Sequence, residues 1–199
     1  SMVEPKDKRA ELNTKTTFKA EENGVGETFG LLEKVLEARN IALAIDRVIS
    51  NKGACGVDNM PVEALKEYFE RNEEKLCESI KYRNYKPSPV RRVEIPKPDG
   101  GIRLLGVPTA IDRVIQQAIS QILSPIYEEP FADQSYGFRK QRSSKMAIIK
   151  SKEYIDEGNN WIVDIDLAKY FDTVNHDKLM RLLSNTIKDG DLLSIIRKY

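Results

Sequence analysis

The apolar residues Ile111, Val114, Ile115, Ala118, Ile119, Ile122, Leu123 and Ile126 recur at spacings of three and four, the cleanest helical stripe in the chain. A stripe of that length must be covered by other elements, so this helix is predicted to be the one around which the core assembles. Its surroundings supply suitable partners. Leu31, Leu32, Val35, Leu36, Ile45, Val48 and Ile49 fit an amphipathic helix over 31–49. Pro61 stands at the start of another, carrying Val62, Leu65, Tyr68 and Phe69, and Leu76 and Ile80 mark a further short one. Ser143-Ser144 can cap a helix to about Asp156. Leu179, Leu182 and Leu183, then Leu192, Leu193, Ile195 and Ile196, mark two closing helices.

Two stretches break the helical pattern. Val90 to Ile95 and Ile102 to Val107 are strand-like and are separated by Pro96-Lys97-Pro98-Asp99-Gly100-Gly101, which is turn chemistry, so they are predicted to form a β-hairpin with a basic tip. Trp161-Ile162-Val163-Asp164-Ile165-Asp166-Leu167 reads as a third strand, and its two carboxylates at period two would share one face. Buried unpaired carboxylates cost several kcal/mol, so a cation or a basic partner is implied beside them. Asn51 to Asp58, with Gly53 and Gly56 able to take positive φ, reads as a loop, and Pro130 to Arg139 as irregular.

Charge is unevenly spread. Residues 1–80 carry 12 basic and 16 acidic side chains, whereas residues 81–103 carry seven basic and two acidic ones. A near-neutral chain with one concentrated basic stretch suits local phosphate binding, the alternative being a solvated basic face. Two cysteines and one histidine cannot build a disulfide framework, nor a four-ligand zinc site without carboxylates. A serine-protease reading fails because His176 would have to be the base and no nucleophile elbow is present. No apolar run approaches the roughly 20 residues that span a bilayer, and the first thirty residues are polar and charged. These features predict a cytoplasmic protein that enters no membrane, with residues 1–28 as a flexible arm.

Ile165-Asp166-Leu167-Ala168-Lys169-Tyr170-Phe171-Asp172 resembles motif A of reverse transcriptases, most closely that of group II intron-encoded enzymes. Arg92 to Val107 resembles their first fingers block, Gln134-Ser135-Tyr136-Gly137-Phe138-Arg139 the second, and Asn51 to Asp58 the extra N-terminal block. Four blocks in the family's order span residues 45–185. The resemblance implies an α+β fold: helical fingers with a β-hairpin over 29–158, then the first part of a reverse-transcriptase palm over 159–199. It also implies Mg²⁺ as cofactor, and group II intron RNA, an RNA template with a DNA primer, and dNTPs as partners. A homodimer is a further expectation, since an unpaired palm strand and its apolar face seek cover.

Carried onto this chain, the resemblance makes Asp166, five residues before Phe171, the metal-binding carboxylate in preference to Asp164. The carbonyl of Leu167 becomes a second ligand and Phe171 the ring that screens the sugar. Tyr170 reads as core, and Asp172 as structural, a candidate cap for the following helix. Lys97 and Arg103 match the residues that hold the incoming triphosphate. Arg91 and Arg92 lie in the same basic stretch and are candidate RNA contacts. Lys52 belongs to the block that lies over the template. Arg139 and Arg113 are candidate backbone contacts, and Arg113 reads equally as a helix-surface charge. The family's Tyr/Phe-Ala-Asp-Asp strand has no counterpart in this sequence, so the chain is expected to be a part of a longer polymerase, inactive alone. Two other readings are a non-catalytic intron-RNA-binding module and a retron or diversity-generating reverse transcriptase.

Overall fold

The computed structural model describes residues 30–98 and 100–199. The expected arm over 1–28 and the turn residue Asp99 lie outside these. In order the elements are α1 (Leu31–Val35), α2 (Ala38–Asn51), a 3₁₀ turn (Val62–Ala64), α3 (Leu65–Lys81), β1 (Arg91–Pro96), β2 (Ile102–Val107), α4 (Ala110–Glu128), α5 (Ser144–Asp156), α6 (Tyr170–Thr173), α7 (His176–Thr186) and α8 (Gly190–Ile196). The α+β expectation holds, and the two-stranded antiparallel hairpin is the sheet present among the described residues.

The predicted central helix is α4. Ala110, Val114, Ile115 and Ala118 are all but inaccessible on it, and α1 and α2 pack against that face. Its start is fixed locally: Thr109 is the N-cap, its Oγ1 accepting from the Asp112 N–H at 3.2 Å. Two buried polar residues join the layers. The Asn40 side-chain amide donates to the carbonyls of Val35 and Ala118, linking α1, α2 and α4. Asp189 caps α8 through Oδ1, which accepts from the N–H groups of Asp191 and Leu192. Its Oδ2 accepts from the Leu32 N–H at 2.8 Å, satisfying an orphan donor in the first turn of α1. Ile187, Leu192 and Ile195 complete the same core, so α8 closes on α1.

Several expectations need correction. The helix predicted over 31–49 is two, α1 and α2, because Glu37 has extended geometry (φ −58°, ψ 133°). The bend lets Leu36 and Ile41 both reach the core. The two helices predicted after Pro61 are one, α3: nothing between Phe69 and Leu76 breaks a helix, and Phe69, Leu76 and Ile80 bury one face. Gly53 does take positive φ (119°), but Gly56 does not. Gly56 is required by space instead, since a Cβ there would stand 2.6 Å from the Thr109 Cα. The strand predicted over 161–167 is not formed. A strand exists through its hydrogen bonds to a neighbour, and among the described residues the only paired strands are β1 and β2. Trp161, Ile162, Val163 and Ile165 are each at least four-fifths exposed.

Candidate nucleotide and RNA-binding site

The hairpin pairs Arg91 with Val107, Val93 with Leu105, Ile95 with Arg103 and Pro96 with Ile102. Paired residues share a face, so Arg91, Val93, Ile95 and Arg103 lie on one side and Arg92 and Glu94 on the other. The basic stretch is thus divided between two faces. At the tip the Lys97 N–H donates to the Gly101 carbonyl at 2.7 Å, and the Gly100 N–H to the Lys97 carbonyl at 3.1 Å. Gly100 has φ 84°, the left-handed geometry that this tight reversal needs. Lys97 and Arg103 are exposed and make no side-chain bond to another described residue. Arg91 is half-buried, with its Nε unpartnered among the described residues.

The base of the hairpin is held by a residue that the functional reading of the sequence passed over. Asp112 is fully buried. Its Oδ1 accepts from the hydroxyls of Tyr85 (2.7 Å) and Tyr199 (3.0 Å). Its Oδ2 accepts from the Ser88 N–H (3.1 Å) and the Thr109 hydroxyl (2.7 Å). Ser88 precedes β1 and Thr109 follows β2, so one carboxylate grips both legs of the hairpin. Four neutral donors compensate the buried charge. Burial, then the Asp112 carboxylate, pushes the Tyr85 phenol up. Burial, then neighbouring Tyr85 and Asp112, does the same to Tyr199. Both phenols therefore stay protonated as donors. The signal was present in the sequence: Thr109-Ala110-Ile111-Asp112 has capping-box spacing.

Lys52 and Arg113, far apart in sequence, come to one cavity. Arg113 lies one turn into α4 and Lys52 caps the C-terminus of α2. Together with Val48, Asn51, Gln116, Gln117 and Ser120 they line a cavity of about 320 Å³. The Arg113 Nη2 donates to the Ala54 carbonyl at 3.0 Å, which anchors the 52–58 loop, while its buried Nε is unpartnered among the described residues. Arg139 is differently employed. Its side chain is 7% exposed and bonds Glu128 through Nη2 (2.8 Å) and Nε (2.9 Å). Its Nη1 donates to the carbonyls of Ala132 and Ser135, and it lies over the Phe131 ring. Every nitrogen of that guanidinium is spent holding the 128–139 segment folded.

Asp164, Asp166 and Leu167 lie in the exposed segment before α6. Lys169 takes left-handed geometry (φ 49°) and its carbonyl accepts from the N–H groups of Asp172 and Thr173, which turns the chain into α6. Phe171 is 86% exposed, and Tyr170, expected in the core, is exposed too, the two rings meeting edge to face at 5.4 Å. Asp172 does not cap the next helix: Asn175 does, its Oδ1 accepting from the Lys178 N–H at 2.8 Å. His176 is an exposed residue in the first turn of α7. Among the described residues no three His, Cys, Asp or Glu side chains are grouped as for a metal ion.

Known proteins resemble this chain in sequence. The chain is 34% identical over 170 residues to a putative COX1/OXI3 intron 2 protein of Saccharomyces cerevisiae, covering 84% of this chain and 19% of that protein. It is 35% identical over 174 residues to the protein YkfC of Escherichia coli, covering 84% and 46%. It is 34% identical over 183 residues to the group II intron-encoded protein LtrA of Lactococcus lactis, covering 91% and 30%. The chain thus spans less than half the length of each of these relatives. The model of the family described as reverse transcriptase (RNA-dependent DNA polymerase) matches residues 95–199, more than half the chain. With β2, α4 and the Asp166–Phe171 segment all inside that match, the chain belongs to the reverse transcriptase family, and the group II intron-encoded protein LtrA is among the proteins it resembles.

Proposed function

We propose that this chain provides the fingers and the opening of the palm of an RNA-directed DNA polymerase that also serves as the splicing maturase of a group II intron. Its cations hold RNA template and intron RNA, and its hairpin closes on the triphosphate of an incoming dNTP. The observation that carries this reading is the joint placement of two cationic elements. Lys97 and Arg103 project from a hairpin rooted on the first turn of α4, and Lys52, at the end of α2, lines one cavity with Arg113 of α4. An ammonium near the tip and a forked guanidinium on the return strand suit three phosphates.

Reverse transcriptases use a divalent metal ion. Asp166 suits that use: its carboxylate is exposed, has no partner among the described residues and is followed directly by the Leu167 carbonyl. Hard oxygens are what Mg²⁺ takes, and it usually binds through one or two carboxylates with substrate phosphates completing the set. When bound, the ion neutralises charge developing on the triphosphate. Phe171, exposed five residues on, offers its ring to the sugar of the nucleotide. Residues 159–199 are read as the start of the palm, and a second copy of the chain as a partner for its exposed apolar segment. The reading as a non-catalytic RNA-binding module is favoured by one observation: Asp164 and Asp166 have no further acidic group assembled with them among the described residues.

The test is RNA binding by the 199-residue chain as salt is raised. Phosphate-driven binding weakens along a straight line in log–log form. Replacing Arg91, Arg92, Lys97 and Arg103 with Ala lowers affinity and flattens that line. Unchanged affinity for structured RNA in this variant removes the hairpin as a contact surface.

A further inference from the structure

The cavity between α2 and α4 is lined by polar groups besides its two cations. Arg113, Gln116, Gln117 and Ser120 stand at i, i+3, i+4 and i+7 on α4, one continuous face. Asn51 and Lys52 close the other wall from the end of α2. No acidic side chain lines it. A site built only for phosphate would need positive charge and N–H donors. This one adds three carboxamides and a hydroxyl, each of which donates and accepts. Gln116 makes no side-chain hydrogen bond with any described residue, and Gln117 is engaged only with Gln121 at 3.3 Å.

We propose that this cavity reads the 2′-hydroxyl of a bound strand and so selects RNA over DNA. The inference rests on the nucleic-acid-binding reading of Lys52 and Arg113 and deepens it. The division of labour follows from chemistry. A phosphate needs positive charge and donors, which the Lys52 ammonium and the Arg113 guanidinium supply at one end. A ribose hydroxyl is at once donor and acceptor, and it is the group that distinguishes RNA from DNA at a given position. A carboxamide meets both halves of it, which neither a guanidinium nor an ammonium can do. The volume, about 320 Å³, lies at the lower end of the range for small-ligand sites, so it suits a single nucleotide's sugar and phosphate. Gly53 keeps the cationic end open, for a Cβ there would stand 2.8 Å from Arg113 Nη1.

The probe pair is short oligouridine against oligodeoxyuridine, which differ only in the 2′-oxygen, with affinity read by fluorescence anisotropy at fixed ionic strength. The wild-type chain is expected to prefer the RNA roughly tenfold, the discrimination expected of a site that hydrogen-bonds the hydroxyl. Gln116→Leu with Gln117→Leu brings that ratio to about one. Lys52→Ala weakens RNA and DNA together and leaves the ratio standing. A 2′-O-methyl oligouridine tests the same point on the unaltered protein, and it is expected to bind like DNA because its oxygen has no proton to donate. Equal binding of RNA and DNA by the wild type overturns the proposal. So does a leucine variant that folds and keeps the preference, or a 2′-O-methyl strand that binds as well as RNA. A wild type that binds neither strand overturns instead the reading on which it rests, and the proposal with it.

Discussion

Gly56 sits so close to Thr109 that any side chain on it would overlap the Thr109 backbone, with the added Cβ 2.6 Å from Cα and 2.8 Å from N. The loop after α2 therefore rests on the junction where the hairpin ends and α4 begins. Gly56→Ala is expected to push these apart and to destabilise the chain by about 2 kcal/mol, as overpacking against rigid backbone does. Chemical denaturation measures it. Gly100→Ala, where a Cβ meets open space, differs in kind, since its penalty comes from positive φ alone.

The Asp112 cage gives the stability of the chain an alkaline edge. Tyr85 and Tyr199 have folded-state pKa values raised above the unfolded value of about 10. A raised pKa means that the folded chain holds protons the unfolded chain has released. The stabilisation is complete below pH 10 and is lost as pH climbs past it. Melting temperature should therefore fall more steeply above pH 10 in the wild type than in Tyr85→Phe with Tyr199→Phe. Parallel curves for the two proteins contradict this. Asp112→Ala, which strands four donors, is expected to cost roughly 3 kcal/mol at neutral pH.

How far the sequence could be read depended on which interactions were local. The hairpin and α4 were legible because turn residues and an i, i+3, i+4 stripe encode them directly. The cap at Ser143 was legible for the same reason, and its Oγ accepts from the Met146 N–H as expected. The break at Glu37 was not legible, for no Gly or Pro marks it and only the packing of Leu36 and Ile41 demands it. The segment 161–167 has strand composition, yet pairing is a property of two segments, and its own residues cannot supply the second. The candidate site divides in the same way. Lys97 and Arg103 could be named from one block, whereas the placing of Lys52 and Arg113 on one cavity is tertiary. The four partners of Asp112, drawn from residues 85, 88, 109 and 199, are likewise beyond any local motif apart from Thr109.

The apolar side chains from Trp161 to Phe171 form an exposed strip, with Ile148, Ile149 and Ile155 of α5 also uncovered. Exposed patches of this kind and unpaired extended backbone find partners. The purified chain is expected to sediment as dimers or larger species as concentration rises. Ile162→Lys with Ile165→Lys should shift it towards monomer. A strictly monomeric profile at high concentration speaks against a second copy as partner.

The most direct test of the polymerase reading is primer extension on an RNA template by the longer protein of which this chain is proposed to be a part. Asp166 and Asp164 lie two residues apart, about 7 Å along an extended chain, too far for both to bind one ion without a bend. Asp166→Ala is predicted to abolish DNA synthesis while RNA binding persists. Asp164→Ala should reduce synthesis less, and Phe171→Ala should admit ribonucleotides. Continued synthesis by Asp166→Ala together with a dead Asp164→Ala would contradict the assignment of the metal ligand, and with it the role given to Phe171.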